Sequence, residues 1–245
     1  MTPRRLSLAL ALIALPALAA AQSKSDAFAG KIPPVSGQLY RTAGRLELTL
    51  GGAMSLNDAF FTKYFGDVKV TYHPSAFWSV GAFAQGGTTV ESGSAVLCSA
   101  AVGCVDAGKQ QLWQVPGKIR AVFGVEGAWT PVYGKLNVLA EQVGHFDLSI
   151  LAGPDLVLHD EVLSAQDAAV LAASGGSPGS QTAIGGHFGI AARVFVAEWA
   201  AIRLEVKDLV YSVDVPNNGG ADLQNQFFTE LGFSMFFPTR NRAAR

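Results

Sequence analysis

Residues 229–245 read "TELGFSMFFPTRNRAAR", and the first half of that stretch alternates. In an extended chain Leu231, Phe233, Met235 and Phe237 fall on one side and Glu230, Gly232 and Ser234 on the other. One flank is wholly apolar and the other carries a charge, so this strand needs two different surroundings.

Seven earlier segments repeat the pattern. Arg45–Gly51 sets Leu46, Leu48 and Leu50 against Arg45, Glu47 and Thr49. Asp67–Tyr72 sets Val68, Val70 and Tyr72 against Lys69 and Thr71, and "HPSAF" turns it into the weakly alternating, small-residue segment Trp78–Gly87. Lys118–Trp129 places Ile119, Ala121, Phe123, Val125 and Trp129 opposite Arg120, Gly124 and Glu126. His145–Gly153 and His187–Val196 follow, with Asp147 and Arg193 on their polar sides. The segment from Ala201 opposes Ile202, Leu204 and Val206 to Arg203, Glu205 and Lys207 until its phase shifts near Asp208, which reads as a bulge. Eight strands predict an even-numbered antiparallel barrel with both termini on one side.

The flanking chain sets the compartment. Arg4 and Arg5, an apolar run Leu6–Leu18 and then Ala19–Ala21 have the layout of a secretory signal peptide cleaved after Ala21. Removing residues 1–21 leaves 16 basic against 19 acidic residues, a balance that does not suggest nucleic acid as a partner. Residues 22–44 are expected to form a periplasmic segment, 45–238 the barrel and 239–245 a basic periplasmic tail with Arg240, Arg242 and Arg245. Links after the first, third, fifth and seventh strands are long and those after the second and sixth short, as expected of long external loops and short periplasmic turns. The fourth link, Thr130–Gly144, breaks the alternation, and its "KLNVLAEQV" has the spacing of a short amphipathic helix.

No segment between the strands has the sustained helical periodicity needed to cover a sheet. The apolar flanks therefore face inward in a sandwich or soluble barrel, or outward toward lipid. The polar flanks decide, because they carry both signs in close alternation: Arg45, Lys69, Arg120, Arg193, Arg203 and Lys207 against Glu47, Glu126, Asp147, Glu205 and Glu230. An eight-stranded lumen is narrow enough for side chains to fill, so these residues predict a packed ionic lattice and not a pore. Closure leaves no unpaired strand edge in hydrocarbon. "ELGFSMFF" also has the form of the assembly signal of outer-membrane barrels, carried by Glu230, Gly232, Met235 and Phe237, although eight residues follow the last aromatic. Tyr72, Trp78, Trp129 and Trp199 near strand ends fit interfacial girdles.

The stretches "GRLELTLGGAMSLNDAFF", "VTYHPSAFWSVGAFA", "TPVYGKLNV", "HFDLSILAG", "EWAAIRLEVKDLVY" and "LGFSMFFP" together resemble the outer-membrane β-barrel domain family of myxobacteria and related δ-proteobacteria, over about Tyr40–Pro238. The resemblance implies a location and a fold. Some barrels of this kind are associated with the envelope machinery of adventurous gliding motility, so it also implies a candidate role there, without implying an activity.

Candidate sites are few. Cys98 and Cys104, six apart in an exported chain, are expected to form a disulfide. His145 and Asp147 are the catalytic candidates by residue type; a histidine held by a carboxylate within the lattice is the ordinary reading. "HDE", His159–Glu161, is a candidate divalent-ion site whose adjacent residues do not converge on an extended chain. No cofactor or metal motif is present. The expected partners are outer-membrane lipid, the barrel assembly machinery and periplasmic or envelope proteins. Two functions compete: a non-enzymatic envelope component or anchor, and a transporter of small hydrophobic molecules through a lateral gap in the wall near the Gly-rich third strand. The second requires an apolar vacancy in the outer half of the lumen.

Overall fold

A computed structural model describes residues 40–99, 103–138, 142–216 and 220–239. The leader, most of the segment before the barrel, and Arg240, Arg242 and Arg245 lie outside these residues. The elements in chain order are β1 (Arg45–Ser55), β2 (Phe61–His73), β3 (Trp78–Glu91), β4 (Val96–Ser99), β5 (Gly103–Asp106), α1 (Lys109–Leu112), β6 (Ile119–Val138), β7 (Gln142–Asp160), α2 (Ala165–Ala173), β8 (Ser180–Ala197), β9 (Ala200–Val215) and β10 (Gly220–Phe237). Eight of the strands close into a barrel in the order β1-β2-β3-β6-β7-β8-β9-β10, each antiparallel to its neighbours, and β4 and β5 form a separate two-stranded ribbon. The ring shuts where β1 meets β10, from Leu46↔Phe237 to Ser55↔Phe228.

Period-two alternation explains why the ring forms with this inside and outside. Along β1, Arg45, Glu47 and Thr49 are buried in the lumen while Leu46 and Leu50 stand exposed outside. The same holds around the ring: Val68, Val70, Phe123, Val125, Leu148, Ile150, Phe188, Ile190, Ile202, Leu204, Leu231 and Phe233 form an outward apolar belt. Tyr72, Trp78, Trp129 and Trp199 are exposed at the end of the barrel where β1 begins and β10 ends, Trp78 and Trp129 side by side with ring centroids 6.4 Å apart. That end is called the terminus end below, and the opposite one the loop end.

The strands are longer than the alternation suggests, which corrects four expectations. Residues 130–138 and 142–144 belong to strands, with Val138 paired to Gln142, so no amphipathic helix connects β6 to β7 and that link is short like the other turns at its end. Pro131 lacks a ladder donor, and the register shifts between Trp129 and Val132 to pass it. A second shift, between Ile119 and Ala121, turns Ile119 inward and Arg120 outward. Finally, β9 carries no bulge at Asp208: its registers with β8 and β10 run unbroken past that residue, and Leu209, Tyr211 and Val213 continue the inward series. The polarity of the lumen changes there, not the phase of the strand.

Glycine permits close packing where the wall is tightest. A Cβ at Gly153 would overlap the Val125 carbonyl oxygen of β6. One at Gly124 would overlap the Phe83 ring and the Asp155 carboxylate, which fill its place in the lumen.

At the loop end, Cys98 and Cys104 face each other across the β4–β5 ribbon as a disulfide, with Cα atoms 3.9 Å apart. The segment around the ribbon packs Ala95 and Leu112 onto Phe61. The bridge therefore constrains a loop and not the barrel. Replacing both cysteines by serine should leave the strand content of circular dichroism unchanged while residues 92–118 become the first site of limited proteolysis. A loop this small gains at most about 2–3 kcal/mol from closure in the chain-entropy estimate, and that gain is felt locally.

Candidate functional site: the sealed lumen

The lumen is filled in tiers, each built from the inward parity of different strands. At the terminus end Phe195, Phe236 and Ala201 pack with Tyr40 and Tyr133. Tyr40 stacks on Phe195 at 5.4 Å and meets the His145 ring edge-on at 4.9 Å. Arg45 closes the rim: its guanidinium donates to the Glu198 carbonyl at 2.7 Å and the Phe236 carbonyl at 3.2 Å, and lies 5.1 Å from the centre of the Phe236 ring.

The first ionic tier follows. Arg193 of β8 donates to Glu47 of β1 at 2.5 Å and to Asp147 of β7 at 2.9 Å, and His73 of β2 lies 2.7 Å from the same Glu47 carboxylate. Above it, the Lys69 ammonium sits between Glu126 at 3.0 Å and Glu205 at 2.9 Å, while Arg203 bridges Glu205 at 2.9 Å and Glu126 at 3.3 Å. Lys207 pairs with Glu230 at 2.5 Å and stands 4.0 Å from the centre of the Phe83 ring. His187 Nδ1 lies 2.9 Å from both oxygens of the Asp155 carboxylate. Lys69–Glu205, Arg193–Glu47 and Arg203–Glu126 join strands that are not neighbours in the ring, so the lattice ties the wall together through its interior.

Phe83 marks a boundary. Beyond it the lumen is apolar: Phe65, Phe83, Ile119, Val122, Val157, Leu209, Tyr211, Val213 and Phe228 form one buried cluster. Over this plug, Lys63 is wholly buried and donates to Asp58 at 2.5 Å and Gln226 at 2.6 Å. A cavity inside the lattice, lined by Thr49, Asp67, Lys69, Arg203, Glu205 and Glu230, has a volume of about 10 Å³, room for about one water molecule.

Of the residues that alternation assigns to the lattice, Glu47, Lys69, Glu126, Asp147, Arg193, Arg203, Glu205, Lys207 and Glu230 meet one another in the two ionic tiers, and Arg45 lies at the rim. Arg120 does not join them. The register shift beside it puts its side chain outside, 52% exposed, where it pairs with Asp160. His145 and Asp147 both face inward but are not partners: Asp147 is taken by Arg193, and His145 Nδ1 has no hydrogen-bond partner among the described residues. The His159–Glu161 run diverges, with His159 turned inward near Tyr211, Asp160 toward Arg120, and the Glu161 amide bound to the Gly179 carbonyl. Among the described residues no three His, Cys, Asp or Glu side chains are grouped to hold a metal. His73 and Asp155, just beyond the alternating segments, and Asp67, Gln85 and His187, within them, are further members. Each shares the inward parity of a lattice residue on its own strand or of the strand's continuation, which was the signal for them. In the last strand, Glu230 belongs to the lattice and Gly232 lies against Thr49 and Gly51 of β1, while Met235 and Phe237 are on the outer side, opposite Leu48 and Leu46.

These tiers define an eight-stranded antiparallel β-barrel with a filled interior. No family model and no curated protein matches the chain. Solved structures similar to it include the N-terminal β-barrel domain of Pseudomonas aeruginosa OprF, at 9% identity, 80% coverage of this chain and 98% of that one, with a TM-score of 0.48. The outer membrane protein OprG of the same organism is 14% identical over 80% of this chain and 97% of that one, with a TM-score of 0.39. Neisserial surface protein A is 8% identical over 78% and 94%, with a TM-score of 0.38. Likenesses at these identities transfer no function to this chain.

Proposed function

We propose that this chain is a non-enzymatic β-barrel of the bacterial outer membrane, exported by its leader and serving as an envelope component or anchor. One observation carries the reading: the outside of the barrel is a continuous apolar belt, while the inside is filled by paired charges at one end and an apolar plug at the other. Lipid suits the first and leaves solute no path through the second. An open apolar surface of this extent would drive association in water. Barrel strands need about 9–11 residues to cross a bilayer, and β6 to β10 exceed that, so their far ends rise beyond the membrane. The terminus end is assigned to the periplasm, with the exposed Arg41 available there to envelope proteins, and the loop end to the exterior. A place in a gliding-motility or other trans-envelope complex extends this reading and is supported only by the family resemblance.

The transport alternative loses its requirement. Its apolar vacancy would lie in the loop-end half, where Phe65, Phe83, Val122, Val157, Leu209 and Phe228 occupy the lumen. Reconstituted into planar bilayers, the protein should therefore show no large, reproducible conductance steps; stable ohmic channels would defeat the sealed-anchor reading. Crosslinking in intact cells followed by purification from the outer-membrane fraction tests the anchor role. Reproducible capture of defined periplasmic or envelope proteins supports it, and recovery of the barrel alone counts against it.

A further inference from the structure

The ionic tier around Lys69 is one positive charge short even with His187 counted as charged. It gathers five carboxylates, Asp67 from β2, Glu126 from β6, Asp155 from β7, Glu205 from β9 and Glu230 from β10. Against them stand Lys69 from β2, Arg203 and Lys207 from β9, and His187 from β8 if it is protonated. The neighbouring tier does not make up the difference, since Arg193 and His73 there are taken by Glu47 and Asp147.

The shortfall can be placed on one residue. Glu126, Asp155, Glu205 and Glu230 each have a basic side chain within 3.0 Å. Asp67 has no ion pair among the described residues, is 5% exposed, and its Oδ1 has no hydrogen-bond partner. Directly across the β2–β3 register lies Gln85, 2% exposed. Its Nε2 donates to Glu230 at 2.5 Å, but its Oε1 is also without a partner. Two buried oxygens thus receive no hydrogen bond, in a tier with one negative charge too many, and the Lys207 ammonium of that tier is held by Glu230 at 2.5 Å. A single proton answers both deficits. We propose that Asp67 is a neutral carboxylic acid that donates its proton to Gln85 Oε1, so that the sealed lumen stores one proton as a structural component.

A metal cation would meet the charge deficit less well. Lys69 and Arg203 line the same void and repel it. A water molecule could donate to both oxygens, but it would leave an unpaired carboxylate in a desolvated interior, the costlier state.

The linkage follows from the proposal. The folded barrel binds a proton that the unfolded chain, with its ordinary aspartate, releases above about pH 4. Folding then takes up that proton, and raising the pH opposes folding. Asp67→Asn keeps the shape and donor of the neutral acid without needing the proton. In detergent micelles its thermal midpoint should equal or exceed that of the wild type near pH 8, and the difference should close toward about pH 4. Comparing the two proteins cancels the titration of His73, His187 and the other carboxylates of the tier. An Asp67→Asn midpoint below the wild type's at pH 8 would overturn the proposal, because it would mean that an ionised carboxylate is needed there. Infrared spectra add a readout that stability does not move: the wild type at neutral pH should show the carbonyl stretch of a protonated carboxylic acid, shifted by carboxyl-13C aspartate labelling. Its absence overturns the proposal even if Asp67→Asn fails to fold. Replacing sodium by choline at constant ionic strength should leave the wild-type midpoint unchanged, and a drop specific to the wild type would identify a metal cation in place of the proton.

Discussion

Arg193→Leu lowers the free energy of unfolding by about 3–5 kcal/mol, the range for removing one partner of a buried ion pair. The guanidinium is buried and serves two carboxylates at once, Glu47 at 2.5 Å and Asp147 at 2.9 Å. Leucine fills much of the volume and satisfies neither. Glu47 keeps His73 at 2.7 Å and Arg203 at 3.8 Å, but Asp147 is left in a desolvated lumen without a cation. The magnitude comes from that stranded charge and not from the net worth of the pair, since replacing whole buried pairs by apolar residues is often neutral. The Arg193→Leu/Asp147→Leu double variant should therefore recover much of the loss, the two residues being direct register partners on β7 and β8. Urea unfolding in micelles, read by the mobility shift of folded barrels on gels, measures both. A single-variant cost below about 1 kcal/mol, the value of an exposed pair, would show that water reaches this tier and that the lumen is not sealed.

The sequence disclosed the wall wherever the two flanks differ in polarity. Leu46, Leu48 and Leu50 against Arg45, Glu47 and Thr49 leave one arrangement open once the inside is charged, and so do Ile202, Leu204 and Val206 against Arg203, Glu205 and Lys207. The pattern fails where the interior becomes apolar. Past Asp208, β9 turns Leu209, Tyr211 and Val213 inward and Val210, Ser212 and Asp214 outward, so the polarity of the two flanks is exchanged. That exchange resembles a phase shift without being one. Weak contrast ended the visible parts of β7 at Gly153 and β8 at His187, although these strands reach Asp160 and Ser180, and it concealed Asp155 as a lattice member. Arg120 was misplaced for another reason: a one-residue slip in pairing reverses every side chain beyond it, and such a slip is set by the neighbouring strand. Which carboxylate meets which cation was equally out of reach, because Lys69 and Glu205 are 136 positions apart and come together only when the ring closes.

Ile190→Arg destabilises the barrel in bilayers by about 2–4 kcal/mol, the cost of a basic side chain on the lipid face at the membrane midplane. Ile190 is 59% exposed, and its register partners Ile150 and Val206 continue the apolar row on both sides. The charge would meet lipid without a nearby carboxylate on that row to receive it. Leu223→Arg is the control. Leu223 is also exposed, at 76%, but lies near the loop end of β10 across from Ser212, where the interface reduces the penalty to about 0–1 kcal/mol. The difference between the two positions, measured by reversible folding into lipid vesicles, is diagnostic because the side chains are comparably accessible. In water an exposed isoleucine accepts arginine at little cost, typically within about 0.5 kcal/mol, and depth along a strand has no meaning. Equal and small penalties at Ile190 and Leu223 would therefore remove lipid as the solvent of the outer face, whereas a penalty that peaks at Ile190 and fades toward Leu223 would locate the hydrocarbon on the belt.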